Sequence, residues 1–162
     1  MLQANVRENG LSHKIEMLRA VVGDGCPMRR VEVEGNTGAA YYLFDEGAEV
    51  TAEGAYALLC ERGFGRPNFV KLDIEGMELV VLRALESLIM ESRPKLYIEV
   101  ASELLARCFA MTLDIHNYPS RFDYRFYRNN GEGNYSNDVF VNRELRNIED
   151  GAAFFDLLAL PA

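Results

Sequence analysis

The chain lacks tryptophan and has only three cysteines, two histidines and five prolines among its 162 residues. Cys26, Cys60 and Cys108 form no CxxC pair and are odd in number, which argues against a disulfide scaffold and favours a reduced, cytoplasmic protein. Basic residues are outnumbered 17 to 25, so the net charge is −8. This balance argues against a partner such as a nucleic acid or an anionic membrane, because both require a basic footprint. No apolar run approaches the roughly 20 residues of a membrane-spanning helix, and the first ten residues hold no apolar signal-peptide core.

The composition is that of an ordinary globular protein, with 49% hydrophobic and 26% charged residues. A chain of this length forms about one domain and buries a substantial core. No internal repeat or linker divides it, so residues 1–162 are expected to form a single domain. Helical and strand patterns alternate along the sequence, which indicates an α/β sheet with helices on both faces.

The first 62 residues contain patterns of both kinds. Asn9-Gly10 predicts a helix stop, and Thr51 is a candidate helix cap. The predicted elements are a helix over 2–9, strands over 15–22 and 30–34 separated by a turn at 23–25, a surface loop over 35–48, and a helix over 52–62 that is broken by glycine and proline at 63–67.

The most informative stretch lies at residues 68–91. A short apolar run ends in Asp73, Glu75 and Gly76, and apolar residues then recur at the spacing of an amphipathic helix over 77–91. Ligands of open α/β sheets bind beyond the carboxyl ends of the strands. If the extended geometry persists through Ile74, Asp73 and Glu75 point to one face. They then form a base or a cation site; alternatively they are solvated acids at a helix N-terminus.

The next predicted strand, residues 95–100, carries Glu99 near its end. This carboxylate either faces the same cleft or is an edge residue with a backbone partner. Asp73, Glu75 and Glu99 together also suggest a third possibility, a divalent-metal site of a hydrolase. No zinc signature, Walker loop or nucleophile elbow is present, and no metal site is expected from local spacing. The remaining predictions are a helix over 102–110, a loop around His116, strands over 124–127 and 139–141 joined by a polar hairpin, and a helix over 152–160.

One block is similar to a known family. The run Asn68-Phe-Val-Lys-Leu-Asp-Ile-Glu-Gly-Met-Glu-Leu-Val-Val-Leu-Arg-Ala84 resembles the FkbM methyltransferases, whose pattern here is an apolar residue followed by Lys-Ile-Asp-Val-Glu-Gly-x-Glu. The resemblance continues through Arg93-Pro94 to Glu99, and weaker matches in the right order precede it. It covers most of residues 1–141.

The resemblance implies a Rossmann-like three-layer sandwich with an antiparallel C-terminal hairpin, and an S-adenosylmethionine-dependent methyltransferase that acts on hydroxyls of sugars or secondary metabolites. It places Asp73 and Glu75 in catalytic positions, with Asp73 also at the cofactor. Arg19 and Ala20 correspond to the cofactor's adenine pocket, and Glu99 lies toward the substrate. The expected base or orienter of the hydroxyl is Asp73 or Glu75.

The family's first two strands, including its Gly-rich cofactor turn, have no counterpart in this sequence, so an N-terminally truncated, incomplete domain is expected. Strand 15–22 then loses its neighbour and strand 69–73 becomes a sheet edge. Such an edge invites pairing with another chain. The expected consequences are that strand 15–22 relocates, that the chain forms a homodimer through the edge, or that it is unstable alone. The alternative to an enzyme is a catalytically inactive remnant that acts as a binding or oligomerisation module.

Overall fold

The computed structural model of the chain describes residues 2–48, 50–64, 66–129, 142–144 and 154–162. It is a mixed α/β structure, as predicted. Among the described residues, no helix is long and apolar enough to cross a membrane. The elements in chain order are α1 (Leu2–Glu8), β1 (Val22–Gly23), β2 (Pro27–Val33), β3 (Asn36–Phe44), β4 (Val50–Thr51), β5 (Glu53–Gly54), α2 (Ala55–Glu61), β6 (Phe69–Leu72), α3 (Glu78–Ala84), α4 (Glu86–Ser92), β7 (Lys95–Ala101), α5 (Ser102–Arg107), α6 (Thr112–Ser120), β8 (Tyr124–Asn129), β9 (Asn142–Glu144) and β10 (Phe154–Pro161).

The main sheet has five strands in the order β6-β7-β10-β8-β9. Strands β6 and β7 are parallel, while β10 is antiparallel to both β7 and β8. Alternate residues of β7 are fully buried and the residues between them are partly exposed, as expected when one face of a sheet packs on the core. The fully buried side chains of this core include Leu82, Leu88, Ile89, Leu96, Ile98, Leu105, Ile115 and Leu157.

The C-terminal segment is strand β10, so the predicted helix over 152–160 is wrong. Its alanines and leucines favour a helix by propensity, but Phe155, Leu157 and Ala159 are buried at a spacing of two. This is the period of a strand. Pairing with β7 on one side and β8 on the other satisfies the backbone of β10, and long-range packing therefore overrides local propensity.

The amphipathic helix predicted over 77–91 is present as two short helices, α3 and α4, which meet at Leu85. Main-chain hydrogen bonds of the α-helical type continue through the junction, from Leu85 to Val81 and from Ile89 to Leu85. The predicted apolar face is buried. Arg93 ends α4 in the left-handed conformation, directly before Pro94, as the sequence predicts.

The strand predicted over 15–22 is largely wrong, because only Val22 and Gly23 are in a strand. They pair with Glu53–Gly54 of β5 rather than with the main sheet. In the described part of the chain, β6 has a strand neighbour only on the side of β7. The carbonyl of Val21 accepts a hydrogen bond from Glu53 of β5, but no described strand is paired with residues 15–20. Without a pairing partner a short segment does not form a strand. The expected sheet edge at β6 is observed among the described residues. Of the strand expected to relocate, only Val22 pairs in a strand, with β5 outside the main sheet.

The loop predicted over 35–48 is also wrong, since most of it is β3, which pairs with β2. Gly35 has a φ of 78° in the turn between these strands, a conformation that glycine adopts without steric cost. Thr51 does not cap a helix. It lies in β4 opposite Pro27, and α2 begins after Gly54 without a side-chain cap.

The remaining predictions have mixed outcomes. The helix stops at Gly10 and Gly63 are confirmed, and both glycines have positive φ. His116 lies within α6 rather than in a loop, and its ring packs against Phe126. The strand predicted over 124–127 is β8. The strand predicted over 139–141 and the tip of its hairpin lie outside the described residues.

Candidate active site

The candidate site begins where β6 ends. The strand stops at Leu72, and the chain turns through Glu75 and Gly76, whose φ angles are 57° and 105°. The extended geometry therefore does not persist through Ile74, and strand alternation does not align Asp73 with Glu75. Both carboxylates instead lie on a tight turn between β6 and α3, at the carboxyl end of a parallel strand.

Gly76 is required at this turn for two separate reasons. Its φ lies in the region that only glycine adopts readily. In addition, a Cβ at this position would lie 2.8 Å from the carbonyl carbon of Leu104 in α5 and closer still to the carbonyl oxygen. The turn is thus pressed against the backbone of the helix that follows β7.

The turn is bridged from inside by Glu78, a residue that the sequence analysis did not single out. Its side chain is 2% exposed. Its Oε1 accepts hydrogen bonds from the backbone N–H groups of Ile74, at 3.0 Å, and Gly76, at 3.3 Å. Burial raises the pKa of Glu78, and these amides oppose that shift. In the sequence, the one sign that Glu78 belongs to the site is that it is the third acid of the Asp-Ile-Glu-Gly-x-Glu block.

Glu99 lies on β7, directly across from Asp156 of β10. Burial raises its pKa from 4.5 to about 6, and the negative charges of Asp73, Glu75, Asp156 and Glu78 add to the shift. The structure therefore brings three of the predicted residues, Asp73, Glu75 and Glu99, into one electrostatic cluster. Asp156 was missed because its segment was predicted as a helix.

Lys71 is the cation of this cluster. Its Nζ lies 2.7 Å from Oδ2 of Asp73, with both side chains about half exposed. The hydrogen bond to Asp73 raises the pKa of Lys71, burial opposes this, and Glu99 and Asp156 raise it further. Asp73 therefore has a positive partner within hydrogen-bond distance.

An apolar groove runs beside β6, on the side away from β7. Its volume is about 360 Å³, within the range of roughly 300 to 1,000 Å³ that is typical of small-molecule and cofactor sites. Leu72 and Ile74, the neighbours of Asp73 in the chain, line it together with Lys71, the ion-pair partner of Asp73. The carboxylates of Asp73, Glu75, Glu99 and Asp156 are not among its lining residues. Its other walls include Leu18, Val22, Ala55, Leu58, Leu59, Val70, Val81 and Leu85.

The predicted cofactor residues Arg19 and Ala20 lie in the segment that does not form a strand. Arg19 is exposed and Ala20 is half-buried. Neither lines the groove, whereas Leu18 and Val22 do. Their role stays a prediction.

A metal site receives no support from the geometry of the described residues. Within these ranges, no three or more His, Cys, Asp or Glu side chains are grouped so that they could hold an ion. Asp73, Glu75 and Glu99 influence one another electrostatically, but they are not arranged as a ligand set.

The comparison with protein families assigns the class. The model of the methyltransferase FkbM domain matches residues 5–126, a span that contains Asp73, Glu75, Glu78 and Glu99. The chain therefore belongs to the FkbM methyltransferase family, and the resemblance read from its central block is confirmed. No match to the chain was found among curated proteins or among solved structures.

Proposed function

We propose that the chain is an S-adenosylmethionine-dependent methyltransferase that methylates a hydroxyl of a sugar or a secondary metabolite. The family supports methyl transfer in general. The observation that carries the more specific proposal is Glu99, a carboxyl group whose pKa is raised to about 6 beside Asp73 and Glu75. A hydroxyl nucleophile must lose its proton during methyl transfer, and a general base works best when its pKa lies near the working pH.

We assign the role of base to Glu99 and that of orienting groups to Asp73 and Glu75. At neutral pH Glu99 is largely ionised, yet it is more basic than an ordinary carboxylate, so it can accept the proton of the hydroxyl. Asp73 is already paired with Lys71, so we assign it to orientation of the hydroxyl and not to proton removal. The main contribution of the site to rate is alignment of the hydroxyl with the methyl donor.

The residues present are compatible with the cofactor. Its sulfonium is a cation, which the carboxylates of Asp73, Glu75 and Asp156 favour, and its adenine has apolar faces that suit the groove beside β6. Asp73 and the groove would hold it, in a Rossmann-like arrangement with the site at the carboxyl ends of the strands. When bound, S-adenosylmethionine supplies an electrophilic methyl group.

The test has two stages. Calorimetry first measures binding of S-adenosylmethionine and S-adenosylhomocysteine, and micromolar saturable binding is expected. A panel of sugars and hydroxylated metabolites is then incubated with methyl-labelled cofactor. Glu99→Gln should lower kcat with little change in cofactor affinity, while Glu103→Gln, an exposed acid on α5, serves as the matched control. The absence of binding at millimolar cofactor would contradict the proposal.

One observation favours a second candidate, a binding or oligomerisation module. Among the described residues β6 is an edge strand, and its Phe69 is 53% exposed. An exposed apolar edge can pair with a second copy of the chain. The carbonyl of Asn68 accepts a hydrogen bond from Lys95 at the start of β7, so the N–H of the next residue, Phe69, points to the open edge. Sedimentation should then show a homodimer that Phe69→Pro weakens, because proline removes this edge donor. A strictly monomeric chain at all concentrations would contradict this candidate.

A cytoplasmic location is part of the same proposal. Cys26, Cys60 and Cys108 are all free thiols in the structure, which suits a reducing compartment.

A further inference from the structure

The best-defined group that the proposed chemistry leaves unused is Glu78. It is the first residue of α3, and its side chain is almost completely buried. Carboxylates are rarely buried unless something pairs with them. Oε1 accepts hydrogen bonds from Ile74 and Gly76, but Oε2 is buried without a hydrogen-bond partner. A buried carboxylate oxygen without a hydrogen bond destabilises the fold. The role of Glu78 is therefore to be sought in the hydrogen bonds that its Oε1 accepts.

The backbone that Oε1 contacts is the unusual part of the turn. Glu75 has a φ of 57°, which is unfavourable for a residue with a side chain, and Gly76 has a φ of 105°. A residue with a side chain stays in such a conformation only when its surroundings determine it, whereas glycine adopts positive φ freely. Glu78 constrains the turn from within, and the backbone of Leu104 constrains it from outside.

The constrained turn carries two of the candidate site's carboxylates. Asp73 and Glu75 both act on Glu99, which belongs to the neighbouring strand β7. The distance of Glu75 from Glu99 depends on the turn, because β6 ends at Leu72. Asp73 directly follows Leu72, which pairs with Ile98 of β7, so the turn holds Asp73 only from its C-terminal side. If the turn relaxed, the negative charge around Glu99 would disperse into solvent.

We propose that Glu78 is a positioning residue, whose hydrogen bonds to Ile74 and Gly76 hold Asp73 and Glu75 in place against Glu99. The effect of Glu78 on catalysis rests on the proposed function, but its effect on the turn does not. The groups that act on Glu99 are Asp73 and Glu75 from the turn, Asp156 from β10, Glu78 from α3, and Lys71 from β6.

The first experiment needs no methyl transfer. Amide hydrogen exchange is measured by NMR in the wild-type chain and in Glu78→Ala. The exchange rates at Ile74 and Gly76 should rise at least about tenfold in Glu78→Ala, while the amide of Ile98 in β7 remains as protected as in the wild type. Glu78→Gln retains a carbonyl acceptor and should restore most of the protection. Glu103→Gln, which removes an exposed acid from the start of α5, should change none of these rates.

The second measurement separates positioning from stability. The titration of Glu99 is followed by ¹³C NMR of its carboxyl group. Its midpoint should fall toward the ordinary value in Glu78→Ala, because Asp73 and Glu75 move away and one charge is removed. It should fall less in Glu78→Gln, where only the charge is lost. If a methyl acceptor is found, the acid limb of the rate profile should shift in the same direction.

Two results would overturn the proposal. One is unchanged exchange at Ile74 and Gly76 in Glu78→Ala. The other is a lower stability with an unchanged Glu99 midpoint, which would mean that Glu78 has only a structural role. Should Glu78→Ala fail to fold, Glu78→Asp takes its place, since it keeps the charge but shortens the side chain, and amide exchange at Ile74 and Gly76 must still rise. A wild-type chain without cofactor binding would refute the proposed function and leave these measurements valid.

Discussion

Replacing Gly76 with alanine should destabilise the protein more than the same change at any open glycine. The first contribution is the backbone conformation, because a left-handed residue with a Cβ costs about 1 to 2 kcal/mol. The second is steric, because the new Cβ would lie 2.8 Å from the carbonyl carbon of Leu104. Neither backbone can yield without moving α5 or the turn, and overpacking of this kind costs about 1 to 3 kcal/mol. The expected loss in free energy of unfolding is therefore about 2 to 5 kcal/mol.

Gly10 provides the matched control. It also has a positive φ, 67°, at the end of α1, but no atom lies within 4 Å of the position that a Cβ would take. Gly10→Ala should therefore lose only the conformational contribution of about 1 to 2 kcal/mol. The difference between the two variants isolates the close approach of the turn to Leu104.

Urea denaturation followed by circular dichroism measures both variants against the wild type. A domain of this size is typically stable by about 5 to 15 kcal/mol, so a loss of 2 to 5 kcal/mol shifts the midpoint clearly. The m-values should stay equal, which shows that the compactness of the states is unchanged. Equal losses for Gly76→Ala and Gly10→Ala would refute the argument that α5 confines the turn.

Three further predictions concern other parts of the fold. The pKa of Glu99 is raised from 4.5 to about 6 in the folded state, so its ionisation destabilises the fold as the pH rises through this window. Glu99→Gln should therefore raise Tm relative to wild type at pH 7 but not at pH 4. An equal change in Tm at both pH values would be inconsistent with the raised pKa. Leu157→Ala truncates a fully buried residue of β10 and should lower the free energy of unfolding by about 2 to 5 kcal/mol in urea titrations. Leu160→Ala, at a partly exposed position of the same strand, should lower it clearly less. The reverse order would contradict the assignment of β10 as a strand. The buried hydroxyl of Tyr124 donates a 2.8 Å hydrogen bond to the carbonyl of Pro94, so Tyr124→Phe should lose about 1 kcal/mol by the same assay, and no loss would mean that this bond does not contribute.

The features that sequence predicts well here are those specified by nearby residues. Gly10 and Gly63 end helices because the left-handed conformation favours glycine, and Arg93-Pro94 ends α4 because proline cannot continue a helix. The buried face of residues 77–91 follows from spacing alone. Each of these signals acts over a few residues, and the structure confirms all of them.

The errors occur where an element is defined by a distant partner. Residues 15–20 have a strand pattern but no paired strand among the described residues, so they form none. Strand β3 exists because β2 lies next to it in a hairpin, although its glycines and polar residues suggested a loop. Strand β10 has a helix-favouring composition, yet its pairing with β7 and β8 decides its conformation. Pairing of this kind depends on the register between segments that are far apart in the chain.

The candidate site combines both kinds of information, which explains why only part of it could be predicted. Asp73, Glu75 and Glu99 follow from their positions at the ends of strands. Asp156 comes to lie opposite Glu99 only because β10 pairs with β7 in one register, and a shift by one residue would turn its side chain to the other face of the sheet. Glu78 reaches the turn only because Glu75 and Gly76 adopt positive φ. The raised pKa of Glu99 is thus a property of the assembled fold, since burial and four carboxylates from two separate segments, residues 73–78 and β10, all contribute to it.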